Sequence, residues 1–232
     1  MLFRSAVSDG TLNSNHDVIL GIDRDESVRL TGVPYGQHVV LDVQAFVIRH
    51  GDKLILSDAG TGHTYGPTLG KLPQNLRAAG IAPESIDIVI LTHLHPDHSW
   101  GLADEAGKAV FPNAQLIVHE VEAAFWLDRA PKPDDSERIT RNTKMQRAVI
   151  APYAGRIRRF KDGEVLPGVT AVMRPGHTPG HTTWLLQSRG ERLLLWGDIV
   201  HLAAVQVPRP DCTLIFDVDG ALARDSRQQS FD

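Results

Sequence analysis

Three histidines and an aspartate occupy four of six consecutive positions, in the pattern H-x-H-x-D-H. They are His93, His95, Asp97 and His98, in a chain with 11 histidines among 232 residues. Neutral imidazole nitrogen and carboxylate oxygen are the ligands that zinc and similar divalent cations accept. The pattern therefore predicts a metal site and makes a solvated histidine-rich loop the less favoured interpretation.

Two later segments carry residues of the same types. The first is G-H-T-P-G-H at residues 176–181, with His177 and His181, and the second is G-D-I-V-H at residues 197–201, with Asp198 and His201. Glycine lets the backbone approach a site closely, and proline stiffens the turn. Alone, the first is a moderate signal and the second a weak one. Following H-x-H-x-D-H in this order, they predict one shared site.

The elements that must position these residues are short strands. The apolar run 86–91 is typical of a buried strand, and it leads directly into the histidine motif. Hairpins are predicted over 39–57 and 182–196, further strands over 115–119 and 169–174, and helices over 69–79, 120–127, 138–150 and, near the end of the chain, 221–232. Strand pairs in each half with helical segments between them predict a layered α/β fold, with two packed sheets and helices outside. No low-complexity linker divides residues 1–232, so we expect one domain.

Composition excludes several classes of protein. Hydrophobic residues make up 42% and charged residues 22% of the chain, with a net charge of -4. These values are typical of a globular protein, and the absence of a basic stripe argues against a nucleic-acid partner. No apolar run is long enough for a membrane span, so no membrane partner is expected. The single Cys212 excludes an internal disulfide. The location stays open between cytoplasmic and, after removal of a signal peptide, periplasmic or secreted.

The three motifs together resemble those of the metallo-β-lactamase superfamily, whose fold is an αββα sandwich. The resemblance runs from about residue 39 to the end of the chain and implies a dinuclear metal site. It assigns His93, His95 and His177 to one metal, Asp97 and His98 to the other, and Asp198 to both. Zinc is the expected metal, with cobalt, manganese or iron as alternatives, since metal identity also depends on supply.

The segments 67–72 and 197–206 resemble the methyl parathion hydrolase branch, which includes quorum-quenching lactonases and arylesterases. Asp58, in the D-x-G position of the superfamily, is implied to orient a ligand histidine. His181 and His201 are further candidates for supporting positions. Trp100, Phe125 and Trp126 are candidates for an apolar substrate pocket, with core packing as the alternative.

One departure from the branch concerns the second metal. The branch completes that site with a histidine near its C-terminus, whereas this chain has no histidine after His201. Three explanations are weighed: the chain lacks its last C-terminal elements, which we favour; His201 substitutes for the missing ligand; or the second site is weak or empty. Loss of a strand would expose a sheet edge, so a homodimer is one expected consequence.

The expected activity is hydrolysis of a small molecule by a metal-bound hydroxide. Lactones, aryl esters and phosphotriesters are the favoured substrate classes. Asp97 and Asp198 are the candidate catalytic carboxylates, with Asp97 placing the hydroxide or passing a proton to the leaving group. Alternatives on the same fold are a β-lactam hydrolase and a di-iron redox protein, although the latter favours carboxylate-richer ligand sets than this one.

Overall fold

The computed structural model describes residues 3–232 and builds them into three sheets and seven α-helices. The strands are β1 (Phe3–Ser14), β2 (Ile19–Leu20), β3 (Val39–His50), β4 (Lys53–Ser57), β5 (Ile88–Ile90), β6 (Gln115–His119), β7 (Ile157–Phe160), β8 (Gly163–Leu166), β9 (Val169–Met173), β10 (Thr182–Ser188), β11 (Glu191–Leu195) and β12 (Thr213–Leu214). The α-helices are α1 (Arg24–Thr31), α2 (Leu72–Ala78), α3 (Pro96–Ser99), α4 (Glu120–Ala123), α5 (Glu137–Ile150), α6 (Ala203–Gln206) and α7 (Gly220–Phe231).

Strand direction places the ends of several strands at one edge of the molecule. The larger sheet has the order β1-β3-β4-β5-β6-β7, and its strands from β4 to β7 are parallel. The second sheet has the order β11-β10-β9-β8, and the third pairs β12 with β2. In the second sheet, β9 and β11 both run antiparallel to β10 and therefore share a direction. Residues that follow parallel strands thus emerge together, which is how a sheet assembles a site from distant segments.

Alternating side chains of the larger sheet fill two separate cores. Ile55 and Ile90 lie in the core between the two main sheets, where they meet Trp184 of β10. Leu56 and Val89, the neighbours of these isoleucines, lie in the core on the opposite face, beneath the helices. This period of two is what a sheet covered on both faces requires. Packing on both faces holds the strands that lead into the motifs in fixed positions.

Helix α7 braces one of the motif loops from the C-terminal side. The buried guanidinium of Arg227 donates hydrogen bonds to the carbonyl oxygens of Ile199, Pro210 and Cys212. A buried charge is stabilised only when such acceptors satisfy its donors. The loop that carries Asp198 is therefore held in place by a helix near the end of the chain.

The predicted layered α/β class is confirmed, and most predicted elements appear with shifted ends. The helix expected over 69–79 begins at Leu72, and the strand expected over 86–91 is limited to Ile88–Ile90. The elements that were not predicted are strands β1, β2, β7, β8 and β12 and helices α1, α3 and α6. Of the helices in residues 3–232, none is long and apolar enough to cross a membrane.

Candidate metal centre

The three motif segments meet at the shared edge of the two main sheets. His93 follows the parallel strand β5, and Asp58 follows its neighbour β4. His177 and Asp198 follow β9 and β11 of the facing sheet. His93 and Asp198 are therefore far apart in sequence but close in space, because the strands that precede them end at the same side of the molecule.

A first group of ligand-type atoms comes from His93, His95, His177 and Asp198, and these atoms lie within 4.8 Å of one another. Asp198 Oδ2 is 3.1 Å from Nε2 of His177 and 3.6 Å from Nε2 of His93. Nδ1 of His95 is 2.8 Å from Nε2 of His177. We call these four residues the histidine cluster. They are the residues expected to surround the first metal.

A second group consists of Asp97, His98 and Asp198, again with ligand atoms within 4.8 Å of one another. Asp198 Oδ1 is 3.1 Å from Nε2 of His98, and Asp97 Oδ2 is 3.6 Å from that same nitrogen. We call these three residues the aspartate cluster. Asp198 belongs to both clusters and turns one carboxylate oxygen toward each, as a bridging ligand would.

The donors fit a divalent cation. Three imidazoles and one carboxylate form a four-ligand set of the type that zinc accepts. Nε2 of His93 is buried and has no hydrogen-bond partner among the residues that the structure describes. A buried polar atom without a partner costs free energy, and a bound cation would remove that cost.

The charges in the histidine cluster also favour a cation. Burial lowers the pKa of His93 and of His95 well below the usual range, so both rings are neutral at pH 7 and keep a lone pair. Burial acts to raise the pKa of Asp198, but the nearby histidines, His201 first, outweigh it and hold that pKa well below its usual range. The ionised carboxylate of Asp198 therefore stands beside two neutral imidazoles, those of His93 and His95.

Asp58, the residue in the D-x-G position, contacts one histidine of the aspartate cluster. Its Oδ2 lies 3.0 Å from Nδ1 of His98, and its carboxylate also accepts hydrogen bonds from the backbone N–H and hydroxyl of Thr92. Asp58 adopts a φ of 61°, a left-handed conformation that is uncommon outside glycine. Because Nδ1 of His98 is engaged, its Nε2 faces Asp198.

Asp217 plays the corresponding role for the histidine cluster, and sequence analysis missed it. Its Oδ1 lies 2.8 Å from Nδ1 of His177, while its Oδ2 accepts from the backbone N–H of Leu214. Burial acts to lower the pKa of His177, but hydrogen bonds to Asp198 and Asp217 raise it to about 9. The one sequence feature that could have indicated Asp217 is its place beside Asp219, just before α7. Asp219 caps that helix, and a capping role would explain two aspartates there equally well.

His181 and His201 both contact Asp198, at different atoms. Nε2 of His181 accepts a hydrogen bond from the backbone N–H of Asp198 at 3.0 Å, and burial lowers the pKa of His181 to about 3. A Cβ on Gly197 would stand 2.8 Å from that ring nitrogen, so glycine permits the contact. Nε2 of His201 lies 2.9 Å from Asp198 Oδ2. His181 thus holds the backbone of Asp198, and His201 contacts its carboxylate.

Glu122 joins two of the motif loops and was also missed. It is fully buried and accepts hydrogen bonds from the backbone N–H of Leu94 and of Gly180 and from Nε1 of Trp126. Leu94 lies within H-x-H-x-D-H, and Gly180 lies within G-H-T-P-G-H. One carboxylate therefore fixes the spacing between the two loops that supply the histidine cluster.

The predicted aromatic pocket requires a correction. Trp100 is buried against Tyr65, with ring centroids 5.8 Å apart. Trp126 is buried behind His95, and Phe125 packs on Trp126. None of the three predicted pocket residues lines either cavity beside the clusters. The chain after α4 continues as a π-helix over Ala124–Asp128, which directs Trp126 into the core.

Two cavities flank the clusters. The sheet-side cavity, about 280 Å³, lies between β3 and β11 and includes Phe46, Leu194 and His98 among its lining residues. The helix-side cavity, about 320 Å³, includes His95 and His177 in its lining. Residues that line both are Leu12, Leu41, Asp97, Asp198 and His201. Each cluster therefore has its own approach, and Asp97 and Asp198 face both.

A sequence-family model described as the Metallo-beta-lactamase superfamily matches residues 12–229. Among curated relatives, an N-acyl homoserine lactonase of Bacillus cereus is 31% identical over 122 residues. That match covers 52% of this chain and 40% of the relative, so it spans less than half of the relative's length.

Two solved structures resemble this one over nearly its whole length. The hydrolase AbOPH, described as lying in the beta lactamase superfamily, has a TM-score of 0.91 and 32% identity, covering 99% of this chain and 82% of its own. AidC, described as a dizinc quorum-quenching lactonase in complex with a homoserine product, has a TM-score of 0.89 and 24% identity, covering 99% of this chain and 82% of its own. At 24% identity, the likeness to AidC shows a shared fold and nothing further.

Proposed function

The chain belongs to the metallo-beta-lactamase superfamily, and on that premise we propose that it is a metal-dependent hydrolase of a lactone or ester bond. One observation carries the proposal: the histidine cluster and the aspartate cluster meet at Asp198, which offers one oxygen to each. Two adjacent ligand groups with a shared carboxylate are what a hydrolytic two-metal site needs.

The ligand assignment follows the two clusters. His93, His95, His177 and Asp198 would hold one divalent cation, and Asp97, His98 and Asp198 would hold the other. When bound, such cations lower the pKa of water and polarise the bond to be cleaved.

The residues around the clusters keep the ligands in place. Asp58 and Asp217 fix the ring orientation of His98 and His177, and His181 fixes the backbone of Asp198. Second contacts of this kind set ligand geometry and basicity. Asp97 lines both cavities, so its carboxylate is the group placed to pass a proton to a leaving oxygen.

The substrate class is a further proposal. The lactonase match and the apolar lining of both cavities, with Leu12 and Leu41 in each, support an acyl lactone or hydrophobic ester, since such pockets bind apolar groups around a few polar anchors. A phosphotriester is a further candidate substrate, because attack on a phosphoryl centre needs the same metal ions and the same side chains as attack on a carbonyl.

The test is metal analysis joined to a substrate panel. Chelator-treated protein is reloaded with zinc, cobalt or manganese, metal per chain is counted, and lactone, p-nitrophenyl ester, phosphotriester and β-lactam hydrolysis are measured. We expect activity to disappear with the metal and to return on reloading, for a lactone or an ester. Full activity after exhaustive metal removal would contradict the proposal.

A matched pair of variants separates the site from general damage. His93→Ala removes a histidine-cluster ligand, whereas His38→Ala removes an exposed histidine outside both clusters. We expect the first to lose metal and activity while the fold persists by circular dichroism, and the second to retain both.

A further inference from the structure

Two arginines of α5 line the helix-side cavity. Arg138 and Arg141 stand one helical turn apart, with Asn142 beside them, and all three are among the lining residues. Neither guanidinium forms an ion pair with any residue in 3–232. The acidic residues that line this cavity are Asp97 and Asp198, which belong to the metal clusters.

This pair is unfavourable in the free protein. Like charges at positions i and i+3 of a helix repel each other. Arg138 is also partly withdrawn from solvent. Burial lowers the pKa of Arg138, and the charge of Arg141 adds to this, while the carboxylate of Asp217 acts in the opposite direction. A charge placed in a partly buried cavity without a partner costs free energy, which an incoming anion would offset.

The rest of the cavity has the opposite character. Leu12, Val18, Leu41 and Phe216 supply apolar wall, while His95 and His177 stand at the metal clusters. Arg138 and His95 line this same cavity. A molecule in the cavity would therefore meet a cationic anchor, an apolar wall and the proposed reacting centre.

We propose that Arg138 and Arg141 bind an anionic oxygen group of the substrate, a carboxylate or a phosphate, and so make this site selective for anionic esters or lactones over neutral ones. This inference rests on the proposed hydrolase function. The guanidinium fork matches both oxyanions through paired hydrogen bonds. Both arginines lie on helix α5, which fixes their distance from the metal clusters. The site would therefore favour substrates whose anionic group lies at a matching distance from the scissile bond.

The hydrolysis test uses three p-nitrophenyl esters that differ at one end. They are the 4-methylpentanoate, which is neutral, the hydrogen succinate, which carries a carboxylate in place of the branched methyls, and the 3-phosphonopropanoate. The measured quantity is the ratio of kcat/KM for each anionic ester to that for the neutral one, with enzyme-free rates subtracted. The larger of the two ratios identifies the oxyanion.

The variants are Arg138→Gln, Arg141→Gln and the double variant, with Lys144→Gln as control. Lys144 is exposed on the same helix and lies outside the helix-side cavity, so the control removes the same charge elsewhere. We expect the wild-type ratio to exceed one and to fall about 10- to 100-fold in the double variant, because each lost bond involves a charged group. An unchanged ratio in the double variant, or an equal fall in Lys144→Gln, would overturn the inference.

A binding measurement keeps this outcome separate from the proposed function. If no ester is hydrolysed with any metal, the proposed function fails, and calorimetric titration of metal-loaded protein with succinate and with 3-phosphonopropanoate decides the anion site. Binding that is lost in the double variant and kept in Lys144→Gln supports it, and equal binding in all three proteins refutes it. If the double variant does not fold, Arg141→Gln alone, at an exposed position, gives the same comparison.

Discussion

The histidine cluster and the aspartate cluster share Asp198 but differ in depth. The side chains of His93 and His177 are 0% and 2% exposed, whereas those of His98 and Asp97 are 11% and 27% exposed. The deeper cluster also has four ligand residues, and the shallower one has three.

This difference predicts unequal affinity for metal. A buried set of four ligands excludes water and leaves little for solvent to supply, as structural zinc sites do. The aspartate cluster leaves positions open to the cavities, which a water molecule or substrate would fill. We therefore expect a tightly held first metal and a second that exchanges more readily.

The largest expected effect comes from Asp198→Asn, because this change removes the negative charge common to both clusters. We expect metal content to fall at both positions and kcat/KM to fall by about 1000-fold, roughly 4 kcal/mol of barrier. Metal per chain by mass spectrometry and lactone or ester turnover measure the two effects. A variant that keeps two metals would show that Asp198 is not shared. Asp134→Asn, at an exposed position, is the control.

Asp97→Asn should affect one cluster. Its carboxylate belongs to the aspartate cluster and not to the histidine cluster, so we expect the metal count to fall from two to one while the deep metal is retained. Activity should fall as well, since the same carboxylate is the proposed proton carrier. Loss of both metals would contradict the separation of the two clusters.

Replacing either orienting aspartate, Asp58 or Asp217, by asparagine should affect one metal more than the other. Asp217→Asn should weaken the deep metal by about 10- to 100-fold and Asp58→Asn the shallow one by a similar factor, the usual range for a group that orients a ligand histidine. Competition with a chromophoric chelator, followed on cobalt-loaded protein, resolves the two affinities. If both variants weakened the same metal, the assignment of Asp58 to His98 and Asp217 to His177 would be wrong.

The ligand-type residues could be found from sequence because they lie in short local patterns. His93, His95, Asp97 and His98 fall within six consecutive residues, and the strand before them has a clear apolar run. Strand β1 was missed because residues 8–14 are rich in serine, aspartate, glycine and asparagine, which usually indicate turns. Its pairing with β3 along almost its whole length overrides that local preference.

The supporting residues were missed for a different reason. Asp217 contacts a histidine 40 positions away, and Glu122 reaches Leu94 and Gly180, which are 28 and 58 positions from it. No periodicity or spacing encodes such contacts, because they depend on how loops approach in space. Helix α1 did carry a signal: Asp23 caps it by accepting from the N–H of Glu26, and Gly32 ends it.

The smallest expected effect concerns the support beneath the deep cluster. In Glu122→Gln the side chain keeps one oxygen for Leu94 and Trp126, but its amide group would face the N–H of Gly180, so two donors would oppose each other. We expect a loss of about 1–3 kcal/mol in the free energy of unfolding, measured by urea denaturation of metal-free protein, with Glu105→Gln at an exposed position as control. Because Glu122 holds the loops of His95 and His177 together and contacts neither Asp97 nor His98, the same variant should weaken the deep metal more than the shallow one. An equal loss at both metals would mean that the two clusters respond as one unit and that their difference in depth does not govern affinity.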